Sequence, residues 1–334
     1  MNSLERVNAR LLGKPVDKIP NLNIVMSLVA KQAGVSYREY AQDYHYLVEG
    51  NLRCVDKFGL DVVSVISDPM REASAFGASI HFPENGVLYS DPPLLGDALD
   101  LSRLKIVDPL DSPRTLDRIK AVESLHNKAG KDYPVIGWVE GVLAEAADLC
   151  GINNLLVFLM DEPPGLSELM EIIFRHQCRF AQAQVEAGAN FIGIGNAVAS
   201  LVGPILYEKY ALSYDKAFVD YIHQCGARVK LHICGNITPL FELLEQVKPD
   251  ILDVDWMVDF ENAVKYFSDK PTSVCGNMDP VAVMLQGNAR KVQEEVQYCI
   301  DKADKKTLIA AGCEVPGSAP EENLVLMNSL LYFR

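Results

Sequence analysis

The sequence predicts a (β/α)8 barrel. Three observations carry that expectation. Eight short apolar runs, rich in β-branched residues, recur along the 334-residue chain. Amphipathic stretches at helical spacing lie between them. Polar and thiol side chains crowd at the C-terminal ends of the runs, where the loops of such a barrel build its site, and are nearly absent from the strand bodies. Several runs are apolar on both faces, as buried parallel strands are. A doubly wound open sheet would show the same alternation, but the count of eight favours the barrel.

In chain order, Met1–Leu12 mixes polar and apolar residues at helical spacing and reads as an amphipathic helix. The strands follow at Ile19–Met26, Asp61–Ser67, Val135–Glu140, Phe191–Asn196, Arg228–Gly235, Ile251–Trp256, Thr272–Asn277 and Thr307–Cys313. Helical patterns include Tyr207–Cys225, Ile237–Gln246 and Ala289–Asp304. Gly130 and Gly226 sit where helices should stop. The stretch 68–134 is too long for one crossover, so an insertion is expected there. His81-Phe82 and Gly86–Tyr89 read as its short hairpin. No low-complexity segment or repeat divides the chain, so residues 1–334 read as one barrel domain with an N-terminal helical segment.

Apolar residues make up 49% and charged residues 23%, an ordinary globular mix that argues against disorder. With 31 basic and 45 acidic side chains, the net charge is −14. That disfavours nucleic acid and anionic membrane as partners, since both need a basic face. No signal-peptide pattern and no long apolar span is visible, so no membrane association is expected. The eight cysteines are scattered without a CxxC. A reducing, cytoplasmic compartment with mostly buried thiols is therefore expected.

Read in order, the strand ends carry Met26, Asp68, Glu140, Asn196, His232 with Cys234, Asp255, Asn277 with Asp279, and Cys313 with Glu314. His232 and Cys234 are two apart and share a face. Cys313 lies 79 residues beyond Cys234. Barrel closure brings both ends to one mouth. One imidazole and two thiols then fit three corners of a zinc tetrahedron whose fourth corner stays open. Taken singly, each has a plainer reading: a structural His-x-Cys pair, and a small buried hydrophobe at Cys313. Among the carboxylates, Asp68, Glu140 and Asp255 are the catalytic candidates. Glu140 and Asp255 rank first because they follow apolar strands into the presumed site. Helix caps, loop hydrogen bonds and solvated charges are the alternatives for these and for Glu72, Asp279 and Glu314. Glu314 adjoins a ligand and could orient it. Cys275 could line the barrel. Gly193-x-Gly195 is too weak a pattern for a nucleotide site.

The segments Lys230-Leu-His-Ile-Cys-Gly-Asn236, Gly312-Cys-Glu-Val-Pro316 and Pro320-Glu-Glu-Asn-Leu324 carry a resemblance to the uroporphyrinogen decarboxylase superfamily. Within it, the chain resembles the zinc-dependent methylcobamide:coenzyme M methyltransferases. The resemblance implies a (β/α)8 barrel with Zn2+ on His232, Cys234 and Cys313. It also implies a corrinoid protein as partner and a small-molecule methyl acceptor or donor. No Asp-x-His-x-x-Gly motif occurs, so methylcobalamin should arrive on that partner. Zinc suits the chemistry because methyl transfer to sulfur needs a thiolate, and metal binding deprotonates a thiol.

Two departures matter. The decarboxylases' early Arg-Gln-Ala-Gly-Arg is Lys31-Gln-Ala-Gly-Val35 here, without the guanidinium groups that hold substrate carboxylates. Their Gly-Asp-x-x-Ala-Ser is Gly195-Asn196-Ala-Val-Ala-Ser200. Asp68 matches the key aspartate of both branches. The alternative reading is therefore a metal-independent decarboxylase of a porphyrinogen-like substrate that uses Asp68. An accessory barrel without chemistry is the non-enzyme reading, and an intact His232, Cys234 and Cys313 set argues against it.

Overall fold

Seven of the expected runs pair as one parallel sheet in the computed structural model, which describes residues 1–333. The strands are β1 (Val63–Ser64), β4 (Val135–Glu140), β5 (Phe191–Gly195), β6 (Arg228–Ile233), β7 (Ile251–Val254), β8 (Ser273–Met278) and β9 (Leu308–Ala311), hydrogen-bonded in that order. β2 (Ile80–His81) and β3 (Tyr89–Ser90) form a separate antiparallel hairpin. Every residue of β4, β5, β7, β8 and β9 is buried. Apolar side chains on both faces leave such strands no stable place but between a packed interior and a helical layer.

The eighth stave departs from expectation. Ile19–Met26 forms no strand ladder, only a single parallel bridge from Asn21 to Ile309. The segment is nevertheless the piece that closes the curl. Leu22 N donates to Ile309 O (3.2 Å) and Ile309 N to Pro20 O (3.1 Å). On its other side, Asp61 N donates to Asn21 O (2.9 Å). Pro20 has no N–H to give a ladder. Side chains substitute: Asn21 N donates to Asp61 Oδ2 and Asn23 Oδ1 accepts from Ala311 N. The expected strand Asp61–Ser67 is likewise short, with only Val65 N to Ile136 O extending β1 (3.0 Å).

The opening helix, Ser3–Leu11, is held by a capping box at Asn2 and Glu5. Its Arg6 reaches the buried Asp61 (2.6 Å), which also meets Lys18 (3.1 Å). That ion group pins the helix under the barrel floor. The outer helices are amphipathic as their patterns require. Ala289–Lys302 buries Val292, Val296 and Cys299, each one turn apart. Each such valine contributes about 1.5–3 kcal/mol of burial. Leu212–Gln224 ends where Gly226 turns left-handed at φ +91°. Gly130 follows Pro113–Ala129 without a left-handed turn.

The stretch 68–134 holds helix Met70–Phe76, the β2–β3 hairpin, and helix Pro113–Ala129. The hairpin pairs His81 with Tyr89 and Ile80 with Ser90, so its first strand starts one residue earlier than expected. No single helix among the described residues is long and apolar enough to cross a membrane. All eight cysteines are free.

Candidate metal centre

Period-two alternation sends Lys230, His232 and Cys234 inward from β6 and its end. β7 aligns Asp253 opposite His232. β9 ends at Ala311, and the chain turns to place Cys313 over the mouth. His232 Nε2 lies 3.3 Å from Cys234 Sγ, and the Cys234 and Cys313 sulfurs are 3.9 Å apart. All three ligand atoms lie within 4.8 Å of one another. A tetrahedral zinc, with Zn–S of about 2.3 Å and Zn–N of about 2.0 Å, needs its ligand atoms roughly 3.5–3.8 Å apart. The residues present therefore fit that metal.

The three groups also set one another's charge. The contact with Cys234, together with His232 beside it, pulls the Cys313 thiol down to about 4, although burial opposes this. The same contact pushes Cys234 up. Burial opposes the charge on His232, but Asp253 and Cys313 outweigh it and push the imidazole up to about 10. His232 Nδ1 faces Asp253 Oδ2 at 3.1 Å, and Lys230 Nζ bonds the same carboxylate. The contact falls outside hydrogen-bond geometry, so Asp253 acts on the ring as a charge beside Nδ1, with Nε2 toward the thiols. Sequence reasoning named Asp255 and passed over Asp253. Parity could have found Asp253, which shares a face with Asp255 and stands in an otherwise apolar strand.

Above the three ligands lies a cavity of about 190 Å³. Ile24, Met26, Ile66 and Trp138 make it largely apolar, and Asp68, Glu140, Asn196 and Glu314 also line it. Glu140 Oε1 accepts from Arg71 (2.9 Å) and Trp138 Nε1 (3.2 Å). Burial pushes its carboxyl up to about 7 against the pull of Arg71. The glycines of Gly193-x-Gly195 make this arrangement possible. A Cβ at Gly193 would stand 2.2 Å from the Trp138 ring, and one at Gly195 would stand 2.6 Å from Glu140 Oε2. The pair serves packing at the cavity wall.

Asp68 is held by the Arg114 fork (2.9 and 2.7 Å), by Ser67 Oγ and by Met70 N. Burial alone would raise its pKa, but Arg114 holds it well below the usual carboxylate range. Its folded pKa is thus below the unfolded value of about 3.9. The stability it contributes is present above that value and is lost as pH falls through the folded pKa. In acid titrations of the melting temperature, Asp68→Asn should flatten the limb below about pH 4. An unchanged limb would show that the pair contributes nothing there.

Asp255 is not among the lining residues; its Oδ1 accepts from Met257 N (2.9 Å) in the loop after β7. Cys275 is wholly buried beside Asp253 and outside the ligand trio. Asn196 donates to Asp215 Oδ2 (3.0 Å), which also accepts from Tyr207 (2.6 Å). Asp215 thus lies buried behind Asn196 and is not among the residues that line the cavity. Glu314 Oε1 accepts from Ser27 N and Oγ (2.9 and 2.7 Å). Asp279 caps the helical turn after β8. Arg71, Arg114 and Asp253 are the site residues that sequence reasoning missed.

Comparison with known proteins places the chain among relatives of full length. A methylcobamide:CoM methyltransferase MtbA of Methanosarcina mazei is 29% identical over 335 residues, 97% of this chain and 95% of that protein. A uroporphyrinogen decarboxylase of Carboxydothermus hydrogenoformans is 25% identical over 316 residues, 88% and 87% of the two chains. A solved methyltransferase from Methanosarcina mazei shares the fold, with a TM-score of 0.89 over 99% of this chain and 98% of that one at 22% identity. The sequence model of the uroporphyrinogen decarboxylase (URO-D) family matches residues 2–331. The chain therefore belongs to the uroporphyrinogen decarboxylase family.

Proposed function

We propose that this chain is a zinc-dependent methyltransferase. It moves a methyl group between a corrinoid carried by a partner protein and a small thiol, or a related acceptor or donor. The observation that carries the reading is the set of His232, Cys234 and Cys313, with ligand atoms within 4.8 Å of one another, under a small cavity. The likeness to methylcobamide:CoM methyltransferases supports it.

Zinc held by one imidazole and two thiolates supplies a Lewis acid that favours the deprotonated form of a substrate thiol. The chain's own residues do the rest. Asp253 acts on His232 as a charge beside Nδ1. Glu140 presents Oε2 to the cavity, since Arg71 and Trp138 occupy Oε1, and at about 7 its carboxyl is poised to accept the thiol proton. Asp68 is unsuited to that task, because Arg114 engages both of its oxygens. Ile24, Ile66 and Trp138 give the cavity an apolar wall. The segments that follow β5, β7 and β8 expose Leu201 and Ile205 on a helix, Trp256 and Met257 in a loop, and Val281 on a helical turn. An apolar rim of this kind suits a docking protein such as the corrinoid carrier.

The decarboxylase alternative fares worse. Arg71 and Arg114 both face carboxylates of the chain, so no free guanidinium faces the cavity. Its volume is also below the about 300–1,000 Å³ that drug-sized ligands take. A tetrapyrrole is larger still.

Metal analysis with a methylcobalamin-to-thiol assay tests the proposal. Near-stoichiometric zinc is expected, with activity lost on chelation and restored by zinc. Full activity with under about a tenth of an equivalent would sink it.

A further inference from the structure

We propose that the small molecule held beside His232, Cys234 and Cys313 carries no negative charge at its end remote from the sulfur. Its class is a compact, neutral or cationic thiol or methyl compound. The inference rests on the metal-centre reading above and deepens it.

The argument is a charge count around the cavity. Every cation near it is already engaged. Arg71 is fully buried between Glu140 (2.9 Å) and Glu72 (3.5 Å). Arg114 forks onto Asp68. Lys230 bonds Asp253 beneath His232. None of the three lines the cavity. Glu314 does line it, and among the described residues no cation pairs with it; its partners are the Ser27 N–H and hydroxyl. Asp68, Glu140 and Asn196 also line it, none of them a cation, and the rest is apolar, chiefly Ile24, Met26, Ile66 and Trp138. A sulfonate or carboxylate on the substrate would be desolvated there beside a carboxylate, with no positive partner. A hydrocarbon or hydroxyl end would meet no such penalty, and an ammonium end would meet Glu314.

The nearest lysine does not change the count. Lys31 lines a separate groove of about 390 Å³, and Glu314 is the one residue that borders both spaces. Lys31 is half exposed and faces Glu321 at 3.8 Å. A tail would have to pass Glu314 to reach it.

The test is binding to the full-length protein loaded with cobalt(II) in place of zinc. The probes are ethanethiol, 2-mercaptoethanol and cysteamine against 2-mercaptoethanesulfonate and 3-mercaptopropionate. The readout is the sulfur-to-cobalt absorption band, with each Kd referred to the thiolate form. Neutral and cationic thiols should bind at least tenfold tighter than either anionic one at pH 7. Glu314→Gln, which keeps an acceptor for Ser27, should narrow that gap at least threefold. Lys31→Ala should leave the order unchanged. Equal or tighter binding of the anionic thiols overturns the inference, as does a Lys31→Ala variant that weakens only them. A metal-loaded protein whose band responds to no thiol overturns it together with the thiol reading. A protein that takes up no metal at these three residues overturns the metal-centre reading, which separates that failure from this one.

Discussion

Alanine at His232, Cys234 or Cys313 is expected to leave less than about a tenth of the bound zinc and to lower methyl transfer by at least about 10³-fold. Three protein ligands become two, and the fourth corner belongs to substrate, so nothing remains to close the shell. The fold should survive. Cys234 and Cys313 sit beyond the ends of β6 and β9, only partly buried. A 334-residue chain also buries enough apolar surface not to need a metal. Circular dichroism should be unchanged, and metal content by atomic emission is the measurement that decides. Cys54→Ala is the control, because that buried thiol lies on the outer helix Tyr44–Phe58. Stoichiometric zinc in Cys313→Ala would remove Cys313 from the ligand set.

Asp253→Ala should act on stability and on metal together. The carboxylate is 1% exposed and faces both Lys230 and His232. Without it a buried ammonium has no counter-charge, and breaking such a pair costs about 3–5 kcal/mol. The imidazole also loses the charge beside its Nδ1, which lowers metal affinity about 10–100-fold. The two effects separate in a second variant. Asp253→Ala with Lys230→Met should recover most of the stability in urea melts, since no buried charge is left. It should not recover metal affinity in competition with a chelator. Recovery of both would show that Asp253 serves only Lys230 and does not act on His232.

Much of the candidate centre was legible because its signals are local. His232 and Cys234 share a face by the two-residue period of a strand, whatever the rest of the chain does. The apolar runs declared buried parallel strands for the same reason. Cys313 needed one further step, the closure of a barrel. The first stave was less legible. Ile19–Met26 has the composition of a strand, yet Pro20 and the asparagine side chains replace its ladder. Asp255 was favoured for its place at a strand end, where its side chain turns to Met257.

The seven strands that pair and the candidate ligand trio were thus legible in the sequence itself, through alternation and burial. Which charge meets which was decided only by tertiary structure. Arg71 and Arg114 lie on helices of the stretch 68–134, where an arginine reads as a solvated face. Their partners Glu140 and Asp68 are 69 and 46 residues away. Gly193 and Gly195 look like a loose motif until Trp138 and Glu140 are seen lying across them from the neighbouring strand. Apolar periodicity repeats every two or four residues and can be read along the chain. An ion pair or a close backbone approach depends on positions in space that only the closed barrel brings together.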